Sequence, residues 1–102
     1  MDIFNPDLEV RQHVLEMCVR AQVLSISVGE ISVNEALETL LHAGMPATDA
    51  SFRVCVAGLQ FNRLDIDEAI SIMVTAGVDA TEACYRLSTA ALLDVEYVLE
   101  CA

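Results

Sequence analysis

The sequence predicts an all-α fold of three stacked helix-turn-helix repeats, and three observations lead to this prediction. Residues 35–53 recur as residues 68–86, an offset of 33 residues. A fainter copy precedes them, since residues 16–20 parallel 49–53 and 82–86. No segment shows the strict apolar and polar alternation of a half-buried strand. A repeat period of this size is typical of stacked helical arrays, which need about three units to bury a continuous core.

The length of the chain limits the domain organisation. With 102 residues, it is long enough for one small domain with a single apolar core and no disulfide or metal. We therefore expect one domain over residues 1–102, with units at about 6–43, 46–76 and 79–102.

Capping residues predict where the helices begin and end. Asn5 followed by Pro6 is typical of a helix start. Gly44 and Gly77 each follow an alanine, and either can take the left-handed conformation that ends a helix. The predicted helices are 6–24, 33–43, 47–61, 66–76, 80–91 and 94–101.

Three helix starts carry the spacing of a capping box, in which the cap side chain and a glutamate three residues later bond each other's backbone amides. The predicted pairs are Ser32 with Glu35, Asp65 with Glu68, and Asp79 with Glu82. The first helix also contains apolar residues at three- and four-residue spacing, which predicts one buried stripe. The stripe comprises Val10, Val14, Met17, Cys18, Ala21 and Leu24.

The composition limits the classes of partner that the chain is expected to bind. The chain has sixteen acidic residues and five basic ones, all arginine, so its net charge is −11. This charge disfavours direct nucleic-acid binding, because phosphate contacts need clustered cations. This charge favours a basic partner surface or simply keeps the protein soluble, and the sequence leaves both open. Hydrophobic residues make up 55% of the chain, so some apolar surface is expected to meet a partner. No segment suits a membrane span or signal peptide, and we expect a cytoplasmic protein.

No residue pattern indicates an enzyme, a metal site or a cofactor. His13 and His42 lack a nucleophile or carboxylate at a spacing that forms a catalytic group. The four cysteines form no C-x-x-C pair and occupy core-like helical positions, which favours packing roles in a reducing compartment. These residues are Cys18, Cys55, Cys84 and Cys101.

In each unit, an acidic residue lies four positions before an arginine. The three pairs are Glu16 with Arg20, Asp49 with Arg53, and Glu82 with Arg86. Each pair is either a surface ion pair worth about 0.2–0.5 kcal/mol or part of an arginine strip that binds a partner. Beside the arginines lies an apolar strip, which is either ordinary core or a groove for a helical or extended segment. The candidate partner-binding residues are Val19, Arg20, Val23, Phe52, Arg53, Val56, Tyr85, Arg86 and Thr89.

The run at 63–70 resembles the start of a second helix in the tetratricopeptide repeat, and residues 82–87 resemble the start of its first helix. The segments at 40–44 and 73–77 are more weakly similar to ankyrin repeats. The tetratricopeptide resemblance implies a short right-handed α-solenoid that binds other proteins. A three-unit chain of this size also resembles the small chaperones of bacterial type III secretion, which hold an amphipathic helix in their concave face.

Together these features predict a non-enzymatic protein-binding module, a chaperone or adaptor that holds a partner segment in an apolar groove. Two other classes stay open. An acidic phage or pathogen inhibitor would occupy a basic nucleic-acid-binding surface on another protein. A self-assembling homo-oligomer would instead bury the apolar excess between copies.

Overall fold

The computed structural model describes residues 6–90, with side chains from Glu9 onward, and this part of the chain is all-helical, without a strand. The all-α prediction is therefore confirmed. The predicted helix at 94–101 and the predicted cap Asn5 lie outside the described residues. The helices are α1 (Pro6–Ser27), α2 (Val33–His42), α3 (Ala47–Gln60), α4 (Ile66–Thr75) and α5 (Ala80–Ala90).

Two predicted capping boxes are confirmed. At the start of α2, the Ser32 hydroxyl accepts from the Glu35 amide at 3.1 Å, and the Glu35 carboxylate accepts from the Ser32 amide at 3.2 Å. At the start of α4, Asp65 accepts from the Glu68 amide at 2.8 Å, and Glu68 accepts from the Asp65 amide at 3.5 Å. The repeat thus preserves both directions of the same hydrogen-bonding device.

Only the forward half of the third predicted box forms at α5. The Asp79 carboxylate accepts from the amides of Thr81 at 3.1 Å and Glu82 at 3.4 Å. Oε1 of Glu82 lies instead 2.9 Å from Nη2 of Arg86, one turn further along the helix. The glutamate therefore pairs with an arginine in α5 rather than with the backbone of its cap.

Helices α1 to α4 all end in the same way. The residue after each cap has a positive φ, and these residues are Gly29, Gly44, Asn62 and Gly77. The next amide bonds back to a carbonyl five residues earlier, for example from Arg63 to Gly58 at 2.8 Å. This is the Schellman motif, which satisfies the last carbonyls of a helix. The predicted stops at Gly44 and Gly77 are confirmed, whereas α1 runs three residues past its predicted end at Leu24.

Helix α3 occupies the centre of the packing and contacts each of the other four helices. One buried cluster lies among α1, α2 and α3, and a second lies among α3, α4 and α5. Leu64 and Ile72 pack against both clusters and so connect them. Because the clusters share α3, the two helical hairpins α1–α2 and α3–α4 form one continuous packed body.

Burial repeats with the same 33-residue offset as the sequence. The buried pairs lie on α2 and α4 or on α3 and α5, so equivalent side chains serve equivalent packing positions. These pairs are Val33 and Ile66, Ala36 and Ala69, Leu40 and Met73, Ala50 and Ala83, Ser51 and Cys84, Val54 and Leu87, and Cys55 and Ser88.

The buried stripe predicted for α1 is wrong. Val10, Val14, Met17 and Leu24 are 55 to 66% exposed, Ala21 is exposed, and Cys18 is half-buried. Helix α1 instead packs through Val19 and Ile26, which are buried against α2 and α3. The helix carries apolar residues on two opposite faces, and periodicity alone does not decide which face meets the core.

Within residues 6–90, the helices lack the combination of length and hydropathy that a bilayer crossing demands.

Candidate functional site

A cleft of about 200 Å³ opens between α1 and α3 and reaches the end of α5. Apolar side chains dominate its lining, and one arginine and one glutamine border it. The lining residues are Val19 and Val23 from α1, Phe52, Arg53, Val56, Ala57 and Gln60 from α3, and Ala90 from α5.

Helical geometry explains why these side chains meet. Val19 and Val23 are four residues apart, as are Phe52 and Val56, so each pair lies on one helical face. Packing of α1 against α3 brings the two faces to opposite walls of the cleft. Val19 is buried, whereas Val23, Phe52 and Val56 keep part of their surface open. The walls therefore combine fixed core packing with apolar surface that water still reaches.

An ion pair links the two helices beside the cleft. Nη2 of Arg53 on α3 donates to Oε2 of Glu16 on α1 at 2.7 Å. Both side chains are a little over 40% exposed, so solvent screens the pair and its net contribution to stability is small. A guanidinium has five N–H donors, so Arg53 can bond a further acceptor while it holds Glu16.

The structure brings together five of the nine candidate residues, namely Val19, Val23, Phe52, Arg53 and Val56. The other four, Arg20, Tyr85, Arg86 and Thr89, are exposed and do not line the cleft. Of the four-residue pairs proposed from the sequence, Glu82 with Arg86 is confirmed. The pairs Asp49 with Arg53 and Glu16 with Arg20 are wrong: Arg53 pairs with Glu16, and Arg20 forms no ion pair within the described residues.

Exposure at the equivalent apolar position rises along the chain. Val19 is 3% exposed, Phe52 is half-buried, and Tyr85 is 72% exposed. The sequence left open whether the apolar strip beside the arginines is core or open surface, and each interpretation holds for a different residue. Val19 is a core residue, Phe52 belongs to both, and Tyr85 is a surface residue.

Sequence reasoning missed three residues of the cleft lining. Ala57 follows Arg53 by four residues, Gln60 follows Val56 by four, and Ala90 follows Arg86 by four. Each lies one helical turn beyond one of the nine candidate residues. Extending the four-residue spacing by one turn would have found all three.

Other depressions on the described surface differ from the cleft in their lining. Two further depressions, both bordered by Glu68, carry carboxylates such as Asp67 and Asp65. In residues 9–90, His, Cys, Asp and Glu side chains form no group of three that could hold a metal ion. Cys55 is buried and donates through Sγ to the carbonyl oxygen of Ala69 at 3.5 Å, so it serves packing between α3 and α4.

Comparison of the chain with known protein families, curated proteins and solved structures gives no significant match. The resemblance to the tetratricopeptide repeat therefore stays a prediction from the sequence. Any functional assignment must come from the residues of this chain itself.

Proposed function

We propose that this chain is a non-enzymatic protein-binding module, a cytoplasmic chaperone or adaptor that holds a helical or extended partner segment. One observation carries the proposal: α1 and α3 place partly open apolar side chains around one cleft, beside an arginine with donors to spare. Clefts that combine an apolar lining with a few polar groups are typical of sites that recognise a ligand.

The finer architecture belongs to the same proposal. We propose three stacked hairpins in a right-handed solenoid. The recurrence of buried positions at a 33-residue offset supports this arrangement. The packing of α3 against both α1 and α5 also supports it, because the first helices of successive units touch in a stacked array.

The size of the cleft limits what it accepts. A volume of about 200 Å³ lies below the range of about 300–1,000 Å³ for drug-sized ligands. It suits one or two apolar side chains of a partner, with the rest of the segment lying over the surface. Arg53 would bond a carbonyl or carboxylate of that segment, and Tyr85 would add an exposed aromatic contact on α5.

The test is a selection of binding peptides from a display library with the purified chain, followed by affinity measurements on variants. Val23→Phe fills the cleft and Phe52→Ser empties one wall, and each should weaken the selected peptide about tenfold or more. Val74→Phe is the matched control, since Val74 is an exposed apolar residue on α4. Circular dichroism must show unchanged helicity.

The same measurements can overturn the proposal. Peptides that bind equally well to wild type, Val23→Phe and Phe52→Ser would place binding elsewhere. Unfolding of Phe52→Ser would mean that Phe52 acts mainly as core, and the filled variant Val23→Phe then decides the question alone.

The acidic surface favours a second candidate, an inhibitor that occupies a basic nucleic-acid-binding surface. Within the described residues, only Glu16 and Glu82 are engaged in ion pairs, so most of the carboxylates there carry unneutralised charge. Binding of such a partner would weaken steeply as salt rises, whereas apolar binding in the cleft would tolerate salt. A salt titration of affinity for a basic partner therefore separates the two candidates.

A further inference from the structure

Helix α1 carries an apolar row on its outer face that no other described helix covers. The row repeats with alternating steps of four and three residues: Val10, Val14, Met17, Ala21 and Leu24 lie on α1, and Val28 continues the spacing in the turn directly after it. All six side chains are exposed. Of the nine large apolar side chains exposed within residues 9–90, five belong to this row. Such concentration marks an interaction surface rather than scattered surface residues.

The row lies opposite the face that holds α1 in the fold. At about 3.6 residues per turn, its mean direction is roughly 180° from Val19 and Ile26, which are packed in the core. From Val10 to Leu24 the row is about 21 Å long at 1.5 Å per residue. The cleft between α1 and α3 uses the Val19 side, so the row is a separate surface.

The steps of four and three match the seam of a two-stranded coiled coil. In heptad notation, Val14 and Ala21 occupy position a, and Val10, Met17 and Leu24 occupy position d of α1. β-Branched residues at a with leucine-like residues at d favour two-stranded association of parallel helices. Val14 at a with Met17 and Leu24 at d follow this preference, and about two heptads of α1 carry no polar residue at either position.

Charge placement also suits association with an identical helix. The chain carries a net charge of −11, yet Glu16 is the one acidic residue between Val10 and Val28. Glu16 is turned toward α3, where it pairs with Arg53 at 2.7 Å. Arg11 and Arg20 are exposed on α1. The outer face of α1 between Val10 and Val28 therefore presents no unpaired carboxylate that would repel a second copy.

We propose that this row is a homodimer interface, in which α1 of one copy packs against α1 of a second copy as a two-stranded coiled coil. The occupant is a second copy because the row has the spacing of a heptad seam and the one carboxylate between Val10 and Val28, that of Glu16, pairs with Arg53 and does not repel an identical helix. Its test is the oligomeric state of the full chain.

The mass in solution is measured by light scattering after gel filtration and by sedimentation over a wide range of concentrations. Wild type should have the mass of a dimer, and Met17→Glu should raise the dimer dissociation constant about a hundredfold or more, because it buries a charge in the seam. Val74→Glu, at an exposed apolar position on α4, is the matched control and should stay dimeric. Met17 is 55% exposed, so helicity by circular dichroism should survive the substitution.

A substitution that strengthens the proposed dimer provides an independent test. Ala21→Ile adds β-branched bulk at a central position a, and the dimer should tighten about tenfold or more through added apolar burial. Wild type that stays monomeric at all concentrations overturns the proposal. A dimer that is insensitive to both Met17→Glu and Ala21→Ile overturns it as well, because its interface lies elsewhere.

Discussion

Arg53 of α3 pairs with Glu16 of α1 at 2.7 Å, although Asp49 lies four residues before it on its own helix. Glu16 is the equivalent of Asp49 one unit earlier, because the two are 33 residues apart, so Arg53 pairs with the acidic position of the preceding unit and not with that of its own. The arginine therefore links two helices across the edge of the cleft instead of stabilising one helix.

A double-mutant cycle of Glu16→Gln and Arg53→Gln should give a coupling energy of about 0.2–1 kcal/mol, since both side chains are partly exposed. The same cycle with Asp49→Asn and Arg53→Gln should give a coupling near zero. Urea unfolding followed by circular dichroism supplies the free energies. A larger coupling for Asp49 than for Glu16 would contradict the inter-helix pairing.

Gly58→Ala should destabilise the fold even though alanine is the better helix former. A Cβ at Gly58 would lie 2.6 Å from Cδ2 of Leu64 and 2.8 Å from Cγ2 of Val33, so neighbouring side chains must shift. Overpacking of this kind costs about 1–3 kcal/mol, whereas the gain in helix propensity is about 1 kcal/mol. Thermal unfolding should show a lower midpoint. A raised midpoint would mean that α3 and the turn to α4 pack more loosely than described.

Cys55 should resist thiol reagents in the native protein. Burial raises the pKa of its thiol from 9.0 to about 12, so almost none of it is thiolate near neutral pH. Chains that retain only Cys55 or only Cys18 are compared with Ellman's reagent. The half-buried Cys18 should react first, and Cys55 should react at a comparable rate only after unfolding.

The same shift predicts a pH dependence of stability. A folded pKa above the unfolded one means that the native state binds more protons in that interval. The contribution of the neutral Cys55 thiol to the free energy of unfolding is fully present below about pH 9 and is lost as the pH rises toward 12. Cys55→Ser should remove this part of the alkaline loss of stability. An identical alkaline profile for the variant and wild type would contradict the burial of the thiol.

Local signals predicted the helix boundaries well. The capping boxes at Ser32 and Asp65 and the ends at Gly44 and Gly77 depend on residues within a few positions, so the sequence contains all that is needed. The end of α1 was missed because Ser25 and Ile26 precede Gly29 without any local break in the helix.

Contacts between helices were harder to predict. In α1, one apolar face contains Val19 and Ile26 and the opposite face contains Val10 and Met17, and both satisfy helical periodicity. Only the neighbouring helices decide which face is buried. For the same reason the cleft was predicted in part, since Val23 and Phe52 were identified but the approach of Ala90 from α5 depends on packing.

The caps at Ser32 and Asp65 make the intervening stretch an interchangeable module. Suppose that residues 33–65 were duplicated in tandem. The first copy of Asp65 would then stand three positions before the second copy of Glu35, and the second copy of Asp65 would stand three positions before Glu68, so a capping pair would be present at both junctions. Evolution or protein engineering could thus lengthen the molecule by whole modules without redesigning a single connection.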